Sequence, residues 1–441
     1  MRSSAARSAI AALVTLALVA LFGWQSADPH AADFKSFYSA GYAVTHPGVP
    51  LYDVPAIQTD PFGEVFKLPP PAAVLLAPLG VLELRTARLV WRVALGIAYF
   101  GAALMLCRTF GVRPLSLGWV ATVAAWSVFA PAQVAIGEGQ WDPLLLLALT
   151  MAACALASGH GALAALAIGA AGAVKLYPLA VAAIFLARWQ WRNAVLVMVT
   201  ALGLVALSVT IVGVDALRDY TTGVLPATGA ITPYVDNQAI GGVLARLLMD
   251  DVRPIALREW GGLDASVKLL AVAAIGAATL LVAWRRPTDA LGAATGLSLF
   301  VPLCITFIPA GWTHYHTLLL LPCFLLTLHA RRHVPAVSLQ ALLLALCFLV
   351  SAAPGPAVLI GEDVDRALWQ RSRSASANAA VLSQFPGPAW RLLLSYKTGS
   401  ALLLTALVAW RIAQTAPRAS ADERRSTTAI APPASPLRVS G

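Results

Sequence analysis

Gly161-Ala162-Leu163-Ala164-Ala165-Leu166-Ala167-Ile168-Gly169-Ala170-Ala171-Gly172-Ala173-Val174-Lys175-Leu176-Tyr177-Pro178-Leu179-Ala180-Val181-Ala182-Ala183-Ile184-Phe185-Leu186-Ala187 is an apolar run of 27 residues with a lysine and a proline near its middle. As one helix it would be about 40 Å long. That is long for one crossing of a ~30 Å hydrocarbon core and short for two. Two half-length helices that turn at Lys175 account for both the length and the charge. Irregular backbone at that depth is tolerated only where protein surrounds it or a cavity opens beside it. A lysine in a span is costly and usually faces such a cavity; snorkelling to the interface is the alternative.

The rest of the chain is read from this segment. Of 441 residues, 59% are hydrophobic and 12% charged, too apolar for a soluble exterior. Repeated runs near twenty residues predict an all-α, polytopic membrane protein. The net charge of +10 follows from basic clusters between spans, as the positive-inside rule expects, so a nucleic-acid partner is not indicated. The five cysteines lie in or at the ends of apolar segments, which argues against a disulfide framework or a metal site.

Arg2 and Arg7 precede the run from Ala9 to Trp24, read as an uncleaved first span with a cytoplasmic N-terminus rather than a signal peptide. Residues 25–70 form an outer loop. Leu68-Pro69-Pro70-Pro71 opens a short apolar piece ending near Leu82, about 20 Å as a helix and too short to span. Further spans are placed at about 88–107, 116–136, 142–158, 194–213, 264–283, 289–308, 317–329, 335–352 and 398–413.

Two topologies are consistent. Either 70–82 spans and 161–187 crosses once, or 70–82 only dips and 161–187 crosses as a broken hairpin. Loop charges do not decide, but only the second avoids an undersized span, and it is preferred. It puts Glu138, Gln140 and Asp142 on the same side as Asp33. The expectation is about twelve transmembrane helices, with an outer interfacial helix region after the first span, in one membrane unit over 1–415. Residues 416–441, rich in Ala, Ser, Pro and Arg, are expected to be a disordered cytoplasmic tail.

In this topology the polar, non-basic features gather on the outer face. Asp33 follows the first span, and Phe34, Tyr38 and Tyr42 recur every four residues, an aromatic face suited to an interfacial helix. Asp33 reads either as a working carboxylate there or as the cap of that helix. Glu138-Gly139-Gln140, Lys175, Asn237-Gln238 and the stretch from Trp312 to His316 complete the set. Each has a plainer reading: solvated loop charges for Glu138 and Asp142, capping of the helix that carries Arg246 for Asn237 and Gln238, and interfacial polarity for the histidines. His314 and His316 do not share a helical face and do not read as a zinc pair.

Asp33-Phe34 with Tyr38, Gly48 and Tyr52 resembles the first outer loop of glycosyltransferase family 87, polyprenyl-phosphate-dependent mannosyl- and arabinofuranosyltransferases of the membrane-embedded GT-C class. Phe66-Lys67-Leu68-Pro69-Pro70, Gly139-Gln140, Lys175 with Pro178, and Asn237-Gln238 through Arg246 agree with it. So does Trp312 with His314 ahead of Leu318-Leu319-Leu320-Leu321-Pro322. The likeness covers most of residues 10–412 in order. Leu68, Asp142 and Ala239 stand where the family often has tyrosine, asparagine and serine.

The resemblance implies a GT-C-type enzyme of the cell (inner) membrane with its site on the extracytoplasmic face. It moves sugar from a polyprenyl-phosphate donor to a glycan or glycolipid acceptor, needs no cofactor, and uses Asp33 as the catalytic base. Such a donor carries its own leaving group, so one carboxylate suffices where glycoside hydrolases need two. Attack by the acceptor hydroxyl would invert the anomeric centre. Lys175, Arg246, His314 and His316 are the candidates for the donor phosphate. Tyr38, Tyr52, Glu138, Gln140, Asn237, Gln238 and Trp312 are the candidates for the rest of the substrates. The competing reading is a transporter or flippase for a lipid-linked sugar. It should show repeat symmetry and paired mid-membrane charges, and the sequence offers only Lys175.

Overall fold

The computed structural model describes residues 2–27, 32–59, 65–229, 231, 232, 234–248, 261–287, 289–333, 338–356 and 387–415. Among these residues the chain forms helices and connecting turns, with no strand. The expected tail, 416–441, lies outside the described residues.

Among the described residues four helices are long and apolar enough to cross a bilayer: Arg2–Gln25, Leu84–Thr109, Trp191–Val212 and Gly261–Arg285. Their outward faces are what lipid requires: Val195, Val199 and Leu202 stand exposed along one of them. Leu84–Thr109 is the most central. Trp91, Leu95, Ala98, Ala102 and Leu106, three or four apart, are buried along it.

The count of about twelve full spans is not met by length among the described residues. Asp142–Ala157, Gly161–Val174, Leu339–Ala352 and others are shorter apolar helices. A 14-residue helix reaches only about 21 Å.

The span expected at 116–136 is bent. Leu117–Ser127 and Ala130–Glu138 meet at 60°. Pro131 is the cause: it has no N–H to give the Ser127 carbonyl and its ring would strike that carbonyl. The freed acceptors are satisfied by side chains instead. Gln133 Nε2 donates to the Ser127 carbonyl at 2.9 Å, and the Tyr99 hydroxyl to that of Trp126 at 2.8 Å.

The 161–187 segment is broken at Lys175, as its length implied. Gly161–Val174 ends there, Lys175 is extended (φ −135°, ψ 131°), and Tyr177–Ala182 continues as a 3₁₀ turn into Ala183–Ala187. Pro178 cannot bond the Val174 carbonyl, so the helix cannot run through. Leu179 folds back onto Gly172, where an added Cβ would lie 2.2 Å from its side chain.

The short helix Pro70–Gly80 starts at the prolines. It packs on Ala32–Thr45, the helix with Asp33 in its first turn, with main chain against main chain. A Cβ on Gly41 would lie 2.3 Å from the Leu76 carbonyl oxygen, and one on Gly80 2.3 Å from Gly41. The aromatic face expected on Ala32–Thr45 is not one lipid-facing surface. Phe34 is 1% exposed and Tyr42 39%, so it runs from the interior to the outside.

Candidate active site

Three other pieces of chain, at 138–142, 175–177 and 314–315, gather behind Asp33. It lies half-buried in the first turn of Ala32–Thr45. Facing it is the turn after Ala130–Glu138. There Gly139 takes a left-handed conformation (φ +81°) and ends the helix, with the Gln140 amide donating to the Ala135 carbonyl at 2.7 Å. A side chain at 139 would be strained and would lie 2.8 Å from the Phe34 Cβ. Trp91 Nε1 donates to the Gly139 carbonyl at 2.7 Å and locks the turn to the central helix. The result is that Gln140 Nε2 donates to Asp33 Oδ2 at 2.6 Å.

Behind this pair sits the broken segment's lysine. Lys175 is buried, with Nζ 3.5 Å from Gln140 Oε1, 3.5 Å from Asp142 Oδ2 and 4.3 Å from the centre of the Tyr315 ring. Gln140 therefore bridges the carboxylate in front and the ammonium behind. Asp142 is fully buried in the first turn of Asp142–Ala157, where the helix dipole favours its charge. Its Oδ1 accepts from the Tyr177 hydroxyl at 3.2 Å. His314, from the 3₁₀ turn Thr313–Leu319, stands between two acids, with Nδ1 3.6 Å from Glu138 Oε2 and Nε2 3.7 Å from Asp142 Oδ2. His314 Nε2 and Trp141 Nε1 are buried without a hydrogen-bond partner among the described residues.

Asp33, Glu138, Gln140, Lys175 and His314 are thus brought together. The other candidate residues stand elsewhere. Arg246, fully buried, donates to the carbonyls of Tyr234 and Asn237 at 2.8 Å each and to Ser395 Oγ at 2.7 Å. Burial pushes its guanidinium down to about 10, against the pull of Asp236. Asn237 donates to the carbonyls of Thr232 and Pro309 and accepts from the Gly311 and Ala239 amides. Gln238 donates to the carbonyls of Val235 and Leu394.

These three tie the segment before Ile240–Leu248 to the chain near Gly311 and Leu394, and Asn237 Oδ1 accepts from the Ala239 amide just ahead of that helix. The hydrogen bonds they make go to backbone groups and to Ser395 Oγ, while Arg246 Nε and Gln238 Oε1 have no hydrogen-bond partner among the described residues. Trp312 packs its ring on Tyr234. Tyr38 and Tyr52 each donate their hydroxyl to a main-chain carbonyl at 2.8 Å, those of Leu82 and Leu68. Burial, with Tyr220 and Asp219 nearby, raises the Tyr52 phenol. His316, on another face of the 3₁₀ turn from His314, is buried with Nδ1 unpartnered among the described residues.

Three residues of the cluster were not among the sequence candidates: Asp142, Tyr177 and Tyr315. The signal for Asp142 was available. A lysine buried at membrane depth needs a counter-ion, and the acid two residues after Gln140 was at hand. Tyr177 and Tyr315 adjoin Lys175 and His314 but carry no mark that separates them from packing aromatics.

The family model described as Glycosyltransferase family 87 matches residues 66–306, a stretch that includes Gln140, Asp142 and Lys175 but neither Asp33 nor His314. Two relatives share the description "Polyprenol-phosphate-mannose-dependent alpha-(1-2)-phosphatidylinositol pentamannoside mannosyltransferase". The one from Mycolicibacterium smegmatis is 29% identical over 328 residues, 72% of this chain and 75% of its own. The one from Mycobacterium tuberculosis is 30% identical over 317 residues, 69% of this chain and 68% of its own.

Proposed function

Since the chain belongs to glycosyltransferase family 87, we propose that it transfers a sugar, with mannose as the precedent, from a polyprenyl-phosphate donor to a hydroxyl of a glycolipid acceptor. The reaction takes place at the extracytoplasmic face and inverts the anomeric centre. One observation carries this reading: a half-exposed carboxylate, Asp33, has one oxygen held by Gln140 at 2.6 Å, with the buried ammonium of Lys175 directly behind. Holding Oδ2 leaves Oδ1 to take a proton.

The steps balance. The acceptor O–H proton passes to Asp33 as that oxygen bonds the anomeric carbon. The bond from that carbon to the phosphate oxygen breaks, and its electron pair stays on the phosphate. Lys175 and the His314 Nε2 position supply positive charge and a hydrogen bond for the departing phosphate in a dry setting, where such groups count most. Gln140 orients the base. The prenyl chain has a place to lie: a cavity of about 630 Å³, lined mainly by apolar side chains of Leu117–Ser127, Leu320–His333 and Leu339–Ala352. It begins at Leu320, the residue after the turn that holds His314, and follows one helix face through Phe324 and Leu328 to Arg331.

The test is direct. Purified protein in detergent is given a polyprenyl-phosphate mannose and a glycolipid acceptor, and the product's anomeric configuration is read by NMR. A glycosidic product of configuration opposite to the donor's is expected. Movement of the intact lipid-linked sugar across a vesicle with no glycosidic product would instead favour a flippase.

A further inference from the structure

The cation that would meet the donor phosphate already has a counter-ion. Lys175 lies 3.5 Å from Asp142, and Asp142 has no exposure to solvent. The groups around it are two more carboxylates, Asp33 across Gln140 and Glu138 across His314, the hydroxyl of Tyr177 and the ring of Tyr315. Three acids therefore surround one lysine and one histidine. A pocket built simply to hold phosphate would show the opposite balance.

We propose that Asp142 is a specificity-determining residue that tunes this site to a singly charged phosphodiester and against a doubly charged phosphate monoester, so that the enzyme expels its own lipid product. The proposal rests on the transfer reaction above. In the donor the phosphate joins prenyl chain and sugar and carries one negative charge. When the sugar–oxygen bond breaks, the electron pair remains on the phosphate and the acceptor's proton goes to Asp33 and on to solvent. The phosphate is now a monoester, whose second ionisation has a pKa of about 6, so near neutral pH it approaches two negative charges.

Attraction to Lys175 and repulsion from Asp142 both grow with that second charge. Because Asp142 already occupies the lysine, the net pull does not rise as it would at a bare cation, and Asp33 and Glu138 add to the repulsion. In a site shielded from water, such an imbalance at a few ångströms is large. An asparagine at this position would keep the shape and the oxygen that accepts from Tyr177, while losing the charge and turning an NH2 donor toward Lys175 in place of Oδ2.

The experiment compares binding of decaprenyl phosphate and its methyl diester to the full-length protein in detergent at pH 8. The parent should bind the diester about tenfold or more tighter than the monoester. Asp142→Asn should abolish or reverse that preference. In turnover it should lower the inhibition constant of decaprenyl phosphate by a similar factor, with much less change in donor KM. Asp142→Glu should restore the parental preference. Equal or tighter binding of the monoester by the parent overturns the proposal without any variant having to fold. So does an Asp142→Asn protein that weakens both compounds alike, which would make Asp142 only a holder of Lys175. If the parent turns over a polyprenyl-phosphate sugar but fails these comparisons, this inference alone falls. If it binds neither prenyl compound, the transfer reading falls with it.

Discussion

Replacing Asp33 by asparagine separates chemistry from architecture. The carboxylate's Oδ2 accepts from Gln140 Nε2 at 2.6 Å, and the asparagine carbonyl oxygen can take that bond unchanged. The helix Ala32–Thr45 keeps its packing, because it is seated through Gly41 and Phe34 rather than through Asp33. Losing an acid from a helix's first turn costs about 0.3–1 kcal/mol of stability. What disappears is the carboxylate that Gln140 holds, the group assigned to take the acceptor's proton. General-base catalysis is worth about 10²–10⁴-fold, or roughly 3–5 kcal/mol of barrier at 1.36 kcal/mol per decade. The rate loss should thus exceed any stability loss several-fold.

The assay is single-turnover product formation from a defined polyprenyl-phosphate mannose, with donor binding measured separately and the thermal midpoint as control. Donor affinity and midpoint should stay near parental while the transfer step falls by at least two decades. Asp33→Glu should recover little, because it moves the carboxylate by about 1 Å and such displacement can cost about 10²-fold. A transfer rate for Asp33→Asn within a few-fold of the parent would refute the assignment and leave Asp33 as a helix-terminus charge.

Three other outcomes follow from the geometry. Lys175→Met removes the buried charge between Gln140 and Asp142 and should weaken donor binding by about 2 kcal/mol or more; unchanged affinity in a calorimetric or competition assay would remove Lys175 from the site. Arg246→Met breaks three hydrogen bonds of a fully buried guanidinium and should lower stability by about 3 kcal/mol or more, read as a drop in thermal midpoint, with donor KM of the folded fraction near parental. A raised KM at an unchanged midpoint would return Arg246 to the phosphate. In intact cells, Lys35→Cys and Glu138→Cys should react with a membrane-impermeant thiol reagent and Arg286→Cys should not, the five native cysteines being buried. Labelling at 35 without labelling at 138 would break the shared-face topology.

The sequence carried the features that depend on local chemistry. Lys175 and Pro178 within an apolar run foretold the break, because neither an interior ammonium nor a missing N–H fits a continuous span. Asp33, Gln140 and His314 were singled out by residue type and expected side, and the fold gathers them around Lys175 and Asp142. Features that depend on three-dimensional bookkeeping of polar groups were not legible. Arg246, Asn237 and Gln238 lie in or just before Ile240–Leu248, and nothing in their spacing says that backbone carbonyls take most of their bonds. Asp142 looked like a solvated charge at a helix start until the fold buried it against Lys175. The bend at Pro131 was passed over because hydropathy averages across it, while a single absent donor decides the backbone.

Gly41 and Gly80 set two peptide backbones in direct contact, with no side chain between the Asp33 helix and the short helix beneath it. A spacer made of side chains changes thickness whenever a residue drifts by a methyl group; bare main chain has one thickness. The height of Asp33 above its neighbours is therefore a matter of covalent geometry. Residues that merely face outward on the same short element, such as Leu75 and Val81, can vary without moving the acid. The chain can accumulate substitutions over most of this outer surface and still return the carboxylate to the same place, provided that neither glycine gains a single carbon.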